Sequence, residues 1–225
     1  MNKTLELMWK VIVNPVEAFD EIREEKSIYT SLIYLLIYGI VAVAAGHFAG
    51  LIAQKTLTTP PNAGNLPPNL TPFFKNFDST LKALTSSSSF FILGLVMPYI
   101  NVFLTASIYD LLAQFITKKA NGRVLFTAFA FASMPILIYK LILLAFAALM
   151  SYTIPAWIEL IFVIWGIVLY ILAIRETYEI DSGTAIGIYF TPIVILIIIV
   201  VIYILSLVPF IMNLLKTLPH GAFTP

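Results

Sequence analysis

The sequence predicts an all-α, polytopic integral membrane protein: a five-transmembrane-helix bundle preceded by two short N-terminal amphipathic helices. Three observations carry this. Of the 225 residues, 60% are hydrophobic and 11% charged. The apolar residues gather into five runs of about 19 residues or more, each able to cross ~30 Å of hydrocarbon at 1.5 Å per residue. Ahead of the first run, Leu5, Trp9, Ile12, Val16 and Phe19 recur at spacings of four and three, which places them on one helical face.

The N-terminal segment, 1–26, reads as two interfacial helices, 3–13 and 15–26. Asn14 suits an N-cap, Pro15 the first helical position, and Glu17 completes a capping box. The second helix carries Glu17, Asp20, Glu21, Glu24 and Glu25 against Arg23 and Lys26. Attraction to anionic lipid is therefore not expected, since helices of that kind are rich in Lys and Arg. Two roles stand for the pair: an elbow packed on the bundle, or a face that docks a partner. No apolar stretch followed by a small-residue cleavage site is present, so the first run is expected to be kept as a span.

The spans are placed at 28–53, 90–116, 125–150, 156–174 and 185–208 within a membrane domain of 27–215. The link at 55–89 contains Pro60, Pro61, Pro67, Pro68, Pro72 and a run of serines, and is expected to be irregular. The other links, 118–124 around Asn121-Gly122, 151–155 and 175–184, are short, so consecutive spans are expected to be antiparallel neighbours. A tail, 216–225, closes the chain. Lys3, Lys10, Arg23, Lys26, Lys118, Lys119, Arg123 and Arg175 fall on one side of the bilayer, against Lys55, Lys75, Lys82 and Lys216 on the other. This bias predicts a multi-pass protein of the cell membrane with its N-terminus cytoplasmic, its C-terminus outside, and 55–89 outside. Asn69-Leu70-Thr71 there matches a glycosylation acceptor, a triplet common by chance.

Ionisable residues inside spans are costly and each needs a reason. Lys140 in the third span and Glu159 in the fourth fall in the same half of adjacent helices. An ion pair or snorkelling is the economical account, and a proton or ion relay the sharper one. Asp110 lies near the end of the second span, within reach of Arg175 or Arg123. Asp110, Glu176 and Glu179 together offer oxygen ligands for a hard cation; a solvated helix end is the plainer reading. His47 is placed to hydrogen-bond inside the bundle and cannot build a metal site alone. Asn101 and Gln114 read as interhelical hydrogen-bonding residues. Ala42, Gly46 and Gly50 form a small-residue stripe that permits close helix packing. Pro98, Pro135 and Pro192 are expected to kink their helices, with Ser133 and Thr191 near two of the freed carbonyls.

Several function classes are disfavoured. Thirteen basic against twelve acidic residues give no basic footprint for nucleic acid. Without cysteine there is no disulfide, thiolate metal site or cysteine nucleophile. No nucleophile–base pair, phosphate loop or Gly-x-Ser-x-Gly motif is visible, so neither catalysis nor a cofactor is expected.

The segment Asn14-Pro15-Val16-Glu17-Ala18-Phe19 and the Glu-Ile-Arg-Glu-Glu-Lys-Ser that follows resemble the entry of the Yip domain family. So do Asn121-Gly122-Arg123 leading into Phe129-Ala130-Phe131-Ala132-Ser133-Met134-Pro135, Trp165-Gly166-Ile167 to Arg175-Glu176-Thr177-Tyr178, and Thr184-Ala185-Ile186 with Pro192. The resemblance covers nearly the whole chain and implies a five-span bundle with a cytoplasmic N-terminus. Eukaryotic members of that family sit in the Golgi and endoplasmic reticulum and associate with prenylated Rab-type GTPases and with one another. The long N-terminal region of those members has no counterpart in this sequence, which points to the prokaryotic, archaeal branch and leaves a small GTPase as a partner by analogy only. The resemblance brings no catalytic residues. The expectation is a non-enzymatic scaffold or adaptor in the bilayer, contacting lipids, other membrane proteins or further copies of itself. The alternative is a transporter or channel using Asp110, Lys140, Glu159 and the proline kinks.

Overall fold

Residues 3–25, 27–57, 88–150 and 154–217 are described by a computed structural model, and among them the only regular elements are helices. Lys3–Val13 (α1) and Pro15–Glu25 (α2) form the N-terminal hairpin. Tyr29–Leu57 (α3), Ser88–Thr117 (α4), Gly122–Ala132 (α5), Met134–Met150 (α6), Ala156–Tyr178 (α7) and Ser182–Thr217 (α8) follow. Five stretches are long and apolar enough to cross a membrane: Tyr29–Gly50, Phe91–Thr117, Gly122–Met150, Trp157–Tyr178 and Ser182–Pro209. These match the five expected runs. The Asn69 triplet, most of the proline- and serine-rich link and most of the C-terminal tail lie outside the described residues.

The third span is two helices rather than one kinked helix. Pro135 has no N–H to give the carbonyl one turn behind it, so the helix is interrupted there. Ser133 takes up the break: its N–H and its hydroxyl both donate to the Ala130 carbonyl, at 3.2 and 2.7 Å. The Ser133 hydroxyl also meets the Tyr34 hydroxyl at 3.0 Å. Pro98 and Pro192, by contrast, sit inside helices that run on through them, as does Pro209. Thr191 hydrogen-bonds back to the Gly187 carbonyl at 2.7 Å.

The helix freed by the break, α5, becomes the centre of the bundle. Every residue from Val124 to Ala132 is buried, because α1, α2, α3, α4 and α7 all pack against it. Its sequence alternates Phe126, Phe129 and Phe131 with Ala128, Ala130 and Ala132, so large rings fill the gaps while small residues let neighbours approach. The Phe129 ring stands edge-on to Tyr109 and Tyr170, with centroids 5.4 and 4.8 Å away. Phe131 lies 4.9 Å from Tyr34. Each such pair adds about 0.5–1.5 kcal/mol beyond area burial.

The close crossing of α3 and α4 is not made by the expected stripe. A Cβ on Gly94 would lie 2.4 Å from Val43 Cγ2, and one on Gly39 would lie 3.3 Å from the Leu95 Cα. Gly46 is exposed, Gly50 has nothing within 4 Å, and Ala42 is only half-buried. The close contact on α3 is made at positions 39 and 43; 46 and 50 lie on nearly the same side but one to two turns further along the helix, where α4 comes no closer.

The N-terminal hairpin is an elbow docked on one end of the bundle. Helix α1 lies against α3, α5 and α6, and α2 lies along α7 and α5. The docked residues are Thr4, Leu7 and Val11 from α1 with Ala18, Phe19 and Ile22 from α2. The docked side is not the apolar face read from the sequence: of its five residues only Phe19 is fully buried, and Leu5, Trp9 and Val16 face outward. Between the two helices, Lys10 pairs with Glu17 and Glu21 at 2.7 and 2.8 Å, and Lys3 with Glu25 and Glu21 at 2.8 and 3.5 Å.

Lys10 holds the Glu21 carboxyl below its usual value near 4.5, and Glu21 and Glu17 raise the Lys10 ammonium. A depressed carboxylate pKa contributes stability that is present above the unfolded value and is lost as pH falls through the folded one. Acidification below the ordinary glutamate range should thus loosen α1 from α2 while the spans stay folded. A nitroxide on Glu24→Cys should gain mobility over that range, and Lys10→Met should flatten the response.

Candidate functional site

The polar chemistry of the described residues collects at the hairpin end of the bundle, around Asp110. This residue lies two turns before the end of α4. One turn on, Gln114 Nε2 donates to Asp110 Oδ2 at 2.7 Å. Helix α4 ends at Thr117, and Lys118 after it takes a left-handed φ of 57° and turns the chain back. The turn returns over the carboxylate, so the Asn121 backbone N–H donates to Asp110 Oδ1 at 3.0 Å. Oδ1 also accepts the hydroxyl of Tyr178, a buried residue at the end of α7. The Asn121 side chain completes the tie by donating to the Thr177 carbonyl at 3.1 Å.

Gly122 explains why this turn needs its sequence. A Cβ there would sit 2.9 Å from Asp110 Oδ2 and 3.2 Å from its Cγ. The glycine is required by close approach, not by its backbone angle. Asp110 thereby joins α4, the start of α5 and the end of α7 through three neutral donors. It makes no ion pair with Arg175 or Arg123 among the described residues, contrary to expectation. Neutral donors cost less to bring to a half-buried carboxylate than a second charge, whose own desolvation would have to be offset.

The charged groups lie further out. Arg23 on α2 donates to the Glu176 carbonyl at 3.0 Å and pairs with Glu179 at 3.2 Å and Asp20 at 3.1 Å. Lys119 reaches the same Glu179 at 3.4 Å. Arg175 pairs with its neighbour Glu176. Glu179, with a left-handed φ of 53°, ends α7, and the Ile180 N–H closes on the Arg175 carbonyl at 3.2 Å. Asp181 caps α8 by accepting the Thr184 N–H at 3.0 Å and the Thr184 hydroxyl. Those bonds, the hydroxyl first, hold the Asp181 carboxyl below its ordinary value.

The suggested cation site is not assembled. Asp110, Glu176 and Glu179 each turn to different partners, and no three ligating side chains converge among the described residues. Nor do Lys140 and Glu159 come within ion-pairing distance of each other; the electrostatic neighbours of Glu159 are the hydroxyls of Tyr139 and Tyr38. His47 is exposed, with the rings of Phe48 and Phe91 at 6.0 and 6.1 Å, instead of turned into the bundle. Asn101 is also exposed, and Gln114 bonds within its own helix rather than across.

Residues that sequence reasoning passed over include Tyr178, Tyr109 and Tyr34. Tyr109 stacks on Tyr189 at 5.7 Å and donates to the Tyr189 carbonyl at 3.0 Å, which fastens α4 to the first turns of α8. The available signal was a tyrosine close to a predicted span end and an Asn-Gly turn one link away from Asp110. Beside Asp110 a groove of about 530 Å³ opens between α4 and α5, bounded by Ser107, Gln114 and Arg123 and walled by Phe103, Leu111 and Phe126.

Comparison with protein families finds the Yip1 domain over residues 9–205. The chain belongs to the Yip1 domain family. The match begins within α1 and ends in α8, so it takes in most of the hairpin, the Asp110 tie, the first four spans and most of the fifth of this Yip1-domain chain. No curated protein and no solved structure matched.

If Gly122 serves the Asp110 contact, the two positions must be energetically coupled. Gly122→Ala should destabilise the protein by about 1–3 kcal/mol in detergent, as overpacking does. In an Asp110→Ala background, which removes the atoms in the way, the same change should cost much less. Thermal unfolding of the four proteins of the cycle measures the coupling.

Proposed function

We propose that this Yip1-domain protein is a non-enzymatic membrane scaffold or adaptor that engages a neighbouring membrane helix, from another membrane protein or a second copy, through its fifth span. The observation that carries the reading is the surface of α8. It packs on α4 and α7 near its start, where Ala185 and Ile188 are buried. From Ile193 to Leu205 every residue is exposed, between 41 and 64%, on all sides of the helix. Its sequence there is an Ile/Val ladder of stiff side chains, which lose little rotamer freedom on packing. Helices associate in bilayers by van der Waals packing and not by exclusion from water, so a preformed stiff apolar surface suits such a partner. Arg and Lys in the flanks favour a cytoplasmic hairpin end, an outer C-terminus and residence in the cell membrane as a multi-pass protein. A small GTPase at the hairpin end would follow from family analogy alone.

The transport reading requires a polar path. The hydrogen-bonded charges near Asp110 are confined to the hairpin end, and nearer the middle of α4 Asn101 faces outward while the Tyr99 hydroxyl donates to the Leu32 carbonyl.

The chain has no cysteine, so single substitutions report cleanly. Val194→Cys through Leu205→Cys, oxidised in native membranes, should give crosslinks to a second chain that recur every three to four positions. A complete absence of crosslinks along the ladder counts against the scaffold reading. Proteoliposomes should show no ion flux; a flux that disappears in Asp110→Asn or Lys140→Ala would replace it with transport.

A further inference from the structure

The N-terminal hairpin carries a second apolar face that docking on the bundle does not use. At 100° per residue, α1 divides into three sides. Thr4, Leu7 and Val11 point to the bundle and are buried. Lys3 and Lys10 point to α2 and are paired with its carboxylates. Leu5, Trp9 and Val13 form the third side and are 50, 66 and 62% exposed. An ordinary amphipathic helix docked on a protein has two sides, one apolar and one polar. A three-sided helix is suited to a place where protein, water and hydrocarbon meet.

Two further observations fix which way the third side looks. Ile12, between the docked side and the third side, lines an apolar groove with Pro135, Ile138, Ile161 and Phe162, all of them within spans. The third side is therefore continuous with the lipid-facing belt of the bundle. On the Lys3 and Lys10 side of α1 lies α2, whose outward groups are acidic: Glu17, Asp20 and Glu24 are exposed or partly so, and Arg23 ties the helix to the end of α7. Hydrocarbon on the Leu5 and Trp9 side of α1 and water beyond α2 suit these groups, with the exposed Glu6 at the margin toward α2. The reverse would put the exposed Glu24 carboxylate and the Glu17 and Asp20 ion pairs in lipid.

We infer that α1 is an interfacial wedge: Leu5, Trp9 and Val13 lie against the acyl chains of one leaflet, while α2 screens the wedge from water. The occupant of this face is lipid hydrocarbon. Lys3 and Lys10 are already neutralised within the hairpin, so anionic headgroups are not what hold it, and the contact is independent of whatever covers α8.

The test places Trp9 by depth. The full chain carrying Trp157→Phe and Trp165→Phe retains Trp9 as its only tryptophan and is reconstituted in phosphatidylcholine vesicles. Trp9 emission should be blue-shifted, and acyl chains brominated near the headgroup end should quench it several-fold more than a water-soluble quencher does. Adding phosphatidylglycerol should leave both readings unchanged. Red-shifted emission quenched from water, or blue-shifted emission that bromolipids do not touch, would overturn the inference, the second by putting protein on this face. A dependence on phosphatidylglycerol would also overturn it. Should the double replacement fail to fold, nitroxides on Val13→Cys and Glu24→Cys in the otherwise natural chain decide the matter. The first should be more accessible to oxygen than to a water-soluble nickel chelate, and the second the reverse. Equal accessibility at both positions would sink the wedge.

Discussion

The carboxylate of Asp110 is the interaction on which the hairpin end of the bundle depends. Neutral donors from three parts of the chain converge on it: the amide of Gln114 one turn along, the backbone N–H of Asn121 across the turn, and the hydroxyl of Tyr178 from another span. In hydrocarbon, polar groups have no competing water, so an acceptor with several lone pairs fixes the geometry of whatever surrounds it. The chain answers with a turn shaped to the carboxylate: a left-handed Lys118 to reverse direction and a glycine where any Cβ would collide. Arg23 carries the same order outward, since its guanidinium holds the hairpin to the Glu176 carbonyl and the Glu179 carboxylate just beyond Tyr178. Hairpin, turn and two span ends are thus one connected polar unit, with neutral hydrogen bonds inside and ion pairs on the rim. That order follows the dielectric: rim pairs in water are each worth about 0–1 kcal/mol, whereas leaving a buried acceptor unmet costs about 1–3 kcal/mol.

The break at Ser133 has the same logic applied to the backbone. A proline interrupts the third span, and a serine two residues before it returns two hydrogen bonds to the Ala130 carbonyl while meeting a tyrosine from the first span. What is gained is freedom of direction. Helix α5 is short enough to be enclosed by five neighbours, whereas α6 continues along α3 and α7 as an ordinary span.

The five spans and the two leading helices were legible because hydropathy and helical period report burial in lipid directly. Pro135 was legible as a disruption, though not as a complete interruption, since the extent of a proline's effect depends on what compensates it. Which apolar residues meet the bundle was less legible. Where nearly every residue is apolar, a helix offers several apolar faces, and period alone cannot say which one meets protein and which meets lipid: on α1, Leu7 and Val11 are buried while Leu5 and Trp9 are not. On α3 the period finds the small-residue side but not the level of closest approach, which is at 39 and 43 rather than at 46 and 50. The Asp110 site was half legible. A carboxylate near a span end announces that it has partners, but charge counting proposes Arg175 and Arg123, while folding supplies a tyrosine, an amide and a backbone N–H.

This bias of lipid-embedded sites toward neutral partners bears on how the molecule divides its labour. The hairpin end is saturated: its donors and acceptors face one another, and its glycine and its left-handed residues are committed to one geometry. Away from that end the structure loosens, since α8 beyond Pro192 touches little of its own bundle and displays an all-apolar surface. Apolar helices have no water-driven reason to close on each other within a bilayer. Such a span therefore remains available for association without straining the fold, while the polar unit at the other end holds the bundle's register. On the scaffold reading proposed above, lateral neighbours change at small cost to the fold, because the polar unit that joins α4, α5 and α7 and the apolar surface proposed to meet neighbours on α8 share no residues.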